Sequence, residues 1–350
     1  MDSEDTPHQV AAGTEGNFIH PIPPPARPDL PTPVLSIPIT YDRGMTDFPI
    51  TRHTQSQSRP EFRIVTGDPV KVALSNAAAD SMKSVAIGGE RIRVPFICAV
   101  SRKGPGSRHR DVRPTYEEDF YHRSNLFYTL IQPRLGMNAL AMPHYPVSDT
   151  AAVFCDSIAV CYGPREDNYE KLDPTPNLPV VLVSPVLRPK VTGNDTAFSD
   201  VEDKVCMREK ICSALRICLH HEYDRVVIGD FGLGDWHRNP PQAVAEIWRD
   251  LLLFHPDLCG QFKCVVFAFV DPMQSTTQLF RDRKQKINEE RRARQAAKEG
   301  TSSISTRRTL SSQPAPTDMA IFESLFDEKE IERVVEQAAL VNRHLLSWET

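Results

Sequence analysis

No two of the eight cysteines, at 98, 155, 161, 206, 212, 218, 259 and 264, form a C-x-x-C pair. Without that spacing, the zinc-ribbon and dithiol-redox readings lose their usual support. No apolar run approaches the roughly 20 residues needed to span a bilayer, and the first residues contain no apolar signal core. Neither sign of charge dominates. Lys and Arg number 41 against 46 Asp and Glu, a net charge of −5, so the basic footprint of a nucleic-acid binder is missing. These absences lead us to expect a soluble protein of a reducing, intracellular compartment, cytoplasmic or nuclear, whose cysteines are small core residues. No membrane contact, no direct nucleic-acid contact, no metal and no cofactor are expected.

Proline is unevenly spread. Eleven of the 30 fall within residues 1–60, among few apolar residues. Such a stretch prefers extended, solvated backbone and buries too little surface to offset its ordering entropy. Residues 1–58 are therefore expected to be a disordered tail, with a proline-recognising partner as the alternative. From Glu61 the texture changes. "EFRIVT" predicts a strand, and the stretch after it a helix with Asp68 as N-cap and Pro69 in its first turn. "VPFICAVS" (94–101) predicts a buried strand, and 114–131 a helix carrying Tyr116, Phe120, Leu126, Phe127 and Leu130 at helical spacing. Apolar runs follow at "SIAVCYG" and "PVVLVSP". A long amphipathic helix comes next, with Val205, Ile211, Leu215 and Cys218 on one face. Alternating strands and helices, the strands lacking a polar face, predict a mainly parallel sheet with helices on both sides over residues 60–275. Beyond lie a solvated charged helix (276–299) with eight basic and four acidic residues and a Ser/Thr/Pro linker (300–317). The chain then ends in an amphipathic helix (318–348), which docks on the domain or binds a partner.

The chemistry concentrates in "VVIGDFGLGDWHRNPPQAVAEIW" (226–248), where Gly229, Gly232 and Gly234 stand between a buried strand and a helix. Glycines at such a junction let amides converge on one point and let backbone approach a ligand. A following helix adds its positive end, so a diphosphate suits the position. Trp236 is placed to lie against a ribose or base. The other reading is a tight connection whose glycines only satisfy turn geometry, and the spacing alone does not choose. A second glycine turn, "SRKGPGSRHRDVRP", follows the strand at 94–101 and leads to Glu117 and Glu118. Adjacent helical residues point about 100° apart, so these carboxylates are not an opposed acid–base pair. Locally they also read as surface charge complementing the helix dipole. His109 and His122 have no partner at metal-ligand spacing, and His220–His221 read as cations at a helix end.

Together the two regions resemble the microbial type of poly(ADP-ribose) glycohydrolase, from about Glu61 to Asp271. The resemblance rests on Gly229, Phe231, Gly232, Gly234, Trp236, Asn239, Pro241, Val244 and Ala245, and on Arg123, Ser124 and Leu126 after the glutamates. It implies a macrodomain-like, three-layer α/β/α fold with a mostly parallel mixed sheet. It implies that Gly104, Gly106, Gly229, Phe231, Gly232, Gly234, Trp236 and Asn239 bind ADP-ribose. Glu118 would be the general acid and then the base of ribose glycosidic cleavage, with Glu117 steadying ribose hydroxyls, and no metal is needed.

The sequence departs from the family where the chemistry would occur. The triple glycine is "GPG" at Gly104–Gly106, and its proline lacks an amide donor. Gln-Glu-Glu is Tyr116-Glu117-Glu118, an apolar residue near Phe96 replaces an asparagine, and Arg108, Arg110 and Arg113 enter the loop. Three functions stay open: a hydrolase acting on ADP-ribose or ADP-ribosylated protein, a catalytically impaired module that only holds the nucleotide, and a scaffold using its proline-rich tail or C-terminal helix for a protein partner.

Overall fold

A computed structural model of the chain describes residues 36–41, 59–86, 91–104, 115–131, 151–299 and 314–346, together with the single positions 50, 89, 144 and 147. Among these residues seven strands form one sheet. They are β1 (Ile39–Tyr41), β2 (Glu61–Thr66), β3 (Phe96–Ala99), β4 (Ala152–Ala159), β5 (Asn177–Val183), β6 (Arg225–Ile228) and β7 (Cys264–Phe269). Their spatial order is β1-β4-β5-β3-β6-β7-β2. From β5 to β2 every pair is parallel, whereas β4 runs antiparallel to β5 and to β1.

Strands without a polar face need cover on both sides, and each central strand alternates between two cores. Ile97, Val181, Val226 and Phe267 face one layer, packed with α4 (Val201–His220) and α6 (Pro241–Phe254). Phe96, Val180, Val227 and Val266 face the other, under α1 (Pro69–Ala86), α2 (Tyr116–Arg123) and α3 (Leu126–Ile131). The expected three-layer α/β/α architecture with a mostly parallel mixed sheet is borne out. Asp68 caps α1 as anticipated, its carboxylate accepting from the Lys71 amide at 2.8 Å.

Several expectations need correction. The stretch 1–58 is not all tail, because β1 pairs Ile39–Tyr41 with Ala152–Phe154. The helix expected over 114–131 is two. Ser124 is extended and bridges to Val160, and the Asn125 side chain accepts from the Ala159 amide, so a strand-like step interrupts the helical run. On α4, Ile211, Leu215 and Cys218 are buried, but Val205 is exposed. His221 is not a helix-end cation: it stacks on Phe154 with centroids 3.8 Å apart, bonds to the Tyr41 hydroxyl, and burial lowers its pKa.

The charged stretch after the domain is α7 (Thr276–Glu299). The expected final helix is also two, α8 (Asp318–Leu325) and α9 (Glu328–Leu346). α8 is bound to the domain through Phe322 and Phe326, which pack on Phe267, Phe269 and Phe62. No helix among the described residues is long and apolar enough to cross a membrane.

Candidate active site

Helix α2 follows β3, and its start fixes both glutamates. Thr115 is the N-cap, in extended conformation. Its hydroxyl accepts from the Glu118 amide while the Glu118 Oε2 accepts from the Thr115 amide at 2.9 Å, a reciprocal capping box. Glu117 points into the protein. Its Oε2 accepts from the Ser101 amide at 2.7 Å and its Oε1 from the Tyr121 hydroxyl at 2.6 Å. Both residues are buried, so surface charge is the wrong description. The Thr-x-x-Glu spacing at 115–118 and the helical pair Glu117–Tyr121 were the signals that could have shown this.

Tyr116, standing where the family pattern has glutamine, has a definite task. Its hydroxyl donates to Asp68 Oδ2 at 2.7 Å, and Arg123 Nη2 donates to both that hydroxyl and Asp68, each at 2.7 Å. The side chains of Asp68 and Arg123 are 1% exposed. Burial pulls the Arg123 guanidinium down, but Tyr116, Asp68 and Asp119 around it more than offset that, leaving its pKa raised. The triad ties the first turn of α1 to α2. Beside it lies a cavity of about 240 Å³, bordered by Asp68, Arg123, Val70, Leu74, Val160 and Pro176 and containing none of the sequence-predicted site residues.

The glycine turn follows β6, the neighbour of β3. Gly232 and Gly234 have φ of +76° and +73°, which glycine adopts without steric cost. A Cβ on Gly232 would meet Asn239 Nδ2 at 3.0 Å and Pro185 at 3.1 Å; one on Gly234 would meet Gln274 Oε1 at 2.8 Å. The space beside both α-carbons is therefore filled by protein. Gly229 differs, its hypothetical Cβ meeting only Phe96 and Pro69 at ordinary distances of 3.5 and 3.6 Å.

Most of the amides expected to converge on a ligand already donate internally. Phe231 bonds to Gly229 O, Leu233 to Asp230 O, Arg238 to Gly234 O and Asn239 to Gly232 O, while Gly234 donates to Thr276 Oγ1 at 2.8 Å. Gly232 is buried, and its amide has no protein acceptor among the described residues. The helix directly after the turn is only the four-residue α5 (Gly234–His237), so the dipole of α6 is displaced from the glycines by Arg238, Asn239 and Pro240.

Three predicted ligand residues serve the turn itself. Phe231 is 2% exposed and packs edge-on against Trp248 in the core. Asn239 is fully buried, donating to Val186 O at 2.8 Å and Gly232 O at 2.7 Å. Its Oδ1 has no partner among the described residues. Trp236 is half-buried, with the Arg188 guanidinium 5.7 Å from its ring centroid. Sequence reading missed His237. Burial lowers its pKa to about 3 even though it bonds to the Val100 carbonyl, so it stays neutral and joins the turn to the end of β3.

The two halves meet across β3. The Phe96 ring fills the space between Gly229 and α2, touching Tyr116 and Phe120 with centroids 5.7 and 5.9 Å apart. Cys98 is buried, which pushes its thiol well up, and the charges of Glu117 and Asp230 raise it further. Gly104 is buried with open space beside its α-carbon. Gly106, His109 and the loop arginines 108, 110 and 113 lie outside the described residues.

No protein-family model matches the chain, and no curated protein matches it. Among solved structures it is similar to the poly(ADP-ribose) glycohydrolase of Thermomonospora curvata (TM-score 0.47, 19% identity, 69% of this chain and 82% of that one). It is also similar to the Deinococcus radiodurans poly(ADP-ribose) glycohydrolase in complex with ADP-ribose (TM-score 0.46, 19% identity, 63% and 81%). The Thermomonospora curvata protein bound to the inhibitor ADP-HPD gives a TM-score of 0.42 at 21% identity, over 62% and 76%.

Proposed function

We propose that this chain holds ADP-ribose at the carboxyl edge of the sheet, between β3 and β6, and hydrolyses its ribose glycosidic linkage. The carrying observation is that the glutamate helix and the glycine turn follow the carboxyl ends of the adjacent parallel strands β3 and β6, with Glu117 held by the Ser101 amide just past β3 at 2.7 Å. Ligands of open parallel sheets sit in this position. A buried amide at Gly232 without a protein acceptor among the described residues is a group that a phosphate oxygen satisfies, and Trp236 offers a ring for the nucleoside.

In this reading Glu118 is the acid–base residue. Its carboxyl protonates the oxygen leaving the anomeric carbon as the C–O bond breaks, and a positive charge develops on the ribose. It then takes a proton from the water that adds to that carbon. The Thr115 amide on Oε2 sets the direction of the carboxyl. Glu117, held by the Ser101 amide and the Tyr121 hydroxyl, accepts from the ribose hydroxyls. Gly104 belongs to the acid side, and ADP-ribosylated protein is the natural macromolecular substrate. None of the eight cysteines forms a disulfide among the described residues, which suits a reducing, intracellular compartment.

The test is incubation with poly(ADP-ribosyl)ated protein, comparing wild type with Glu118→Gln. Glutamine is also a competent third residue of a capping box, so the helix start survives while the proton donor is lost. Release of ADP-ribose by wild type and its disappearance in the variant support the proposal. Equal release by both removes Glu118 from the chemistry, and binding without release by wild type leaves a module that only retains the nucleotide.

A further inference from the structure

The glycine turn is held from outside the α/β domain. Thr276, at the start of α7, is fully buried. Its Oγ1 accepts the Gly234 amide at 2.8 Å and donates to Asp318 Oδ2 at 2.7 Å. Asp318 is the first residue of α8, 42 positions further on, and is also fully buried. Its Oδ1 accepts from the Thr276 amide at 2.8 Å, its Oδ2 also from Gln274 Nε2 at 3.1 Å, and its own amide donates to Gln274 O at 2.8 Å. Gln274 in turn packs on the α-carbon of Gly234 and bonds to Asp230. One side chain of the C-terminal segment thus closes a network reaching two residues of the turn.

The network has a cost that a simple surface staple would lack. Burial pushes the Asp318 carboxyl up to about 6 despite the donors from Thr276 and Gln274, and Asp230 nearby raises it further. Placing two carboxylates close together against a glycine turn is unfavourable unless their geometry is needed. The aromatic packing of Phe322 and Phe326 keeps α8, and with it Asp318, in place.

We propose that Asp318 is a positioning residue: acting through the Thr276 hydroxyl, it sets the path of the glycine turn, so that nucleotide affinity depends on the docked C-terminal segment. The proposal rests on the reading of the turn as the diphosphate side of the site. Asp318 does not touch the ligand. It fixes the Gly234 amide towards Thr276, while the Gly232 amide is left without an acceptor among the described residues.

The experiment uses the full chain with Thr276→Val, Thr276→Ser and Asp318→Asn, and reads both amide hydrogen exchange across 229–239 and ADP-ribose affinity. Thr276→Val removes the acceptor while nearly keeping the shape. We expect exchange at Gly234 and affinity each to change by about tenfold, the effect of losing one buried hydrogen bond. Thr276→Ser should behave like wild type and Asp318→Asn should fall between. A thermal melt shows that each variant is folded. Unchanged exchange at Gly234 in Thr276→Val overturns the tether, and changed exchange with unchanged affinity overturns the positioning role. If wild type itself leaves ADP-ribose unbound, the reading of the site fails, while the exchange data still decide whether the tether holds the turn.

Discussion

Thr115 and Glu118 close on each other: the Thr115 amide donates to Glu118 Oε2 at 2.9 Å, and the Glu118 amide donates to Thr115 Oγ1 at 3.3 Å. The residue assigned the proton transfer is therefore also the third residue of the capping box that Thr115 opens. Glu118→Ala should lower stability by about 1 kcal/mol, the usual net value of one hydrogen bond, whereas Glu118→Gln should stay near wild type. Thermal or denaturant unfolding of the two variants separates the roles. Equal destabilisation by both would mean that the charge, not the cap, matters to the fold.

Gly232 and Gly229 should respond differently to alanine. At Gly232 the positive φ and the contacts at 3.0 and 3.1 Å act together, so Gly232→Ala should cost about 1–3 kcal/mol. Gly229→Ala meets only ordinary contacts and should fall within about 0.5 kcal/mol of wild type. Denaturant midpoints check both. A mild Gly232→Ala would contradict the filled surroundings of that turn.

The fold was more legible than the site. Strands without polar alternation announced a sheet covered on both faces, and Asp68-Pro69 announced the start of α1. β1 was hidden because three residues in a proline-rich context carry no periodicity. The break at Ser124–Asn125 was hidden because a side chain reaching a distant strand leaves no mark on helical spacing. At the site, the glycines pointed correctly to a special turn. Only tertiary structure shows that Asn239, Pro185 and Gln274 fill the space beside them, because Pro185 and Gln274 are far away in sequence and the fold of the turn decides where Asn239 points. Asp318 was unreadable for the same reason, as nothing local links it to Gly234.

Asp68 and Arg123 form a buried pair that also engages Tyr116. Arg123→Met should destabilise by about 3–5 kcal/mol, because it strands a buried carboxylate. Adding Asp68→Asn should recover part of the loss, since asparagine still caps α1. A double variant no better than the single one would mean that packing, not charge, dominates.

His237 gives the chain a pH dependence of known sign. Its folded pKa of about 3 lies below the ordinary 6.5, so between these values the unfolded chain binds the extra proton. Stability is therefore fully present above about 6.5 and falls as the pH drops towards 3, by on the order of a few kcal/mol from this group. His221 and His255 are shifted in the same direction, so His237→Gln should flatten part of the acid slope. Urea unfolding at pH 7 and pH 5 measures it, and an unchanged slope would place the ring in water.

The central claim is that the edge between β3 and β6 receives a nucleoside diphosphate sugar, and calorimetric titration of the wild-type chain with ADP-ribose tests it most directly. One-to-one binding, weakened in Thr276→Val and retained in Glu118→Gln, is the result predicted. No heat of binding, with the protein folded throughout, would contradict it.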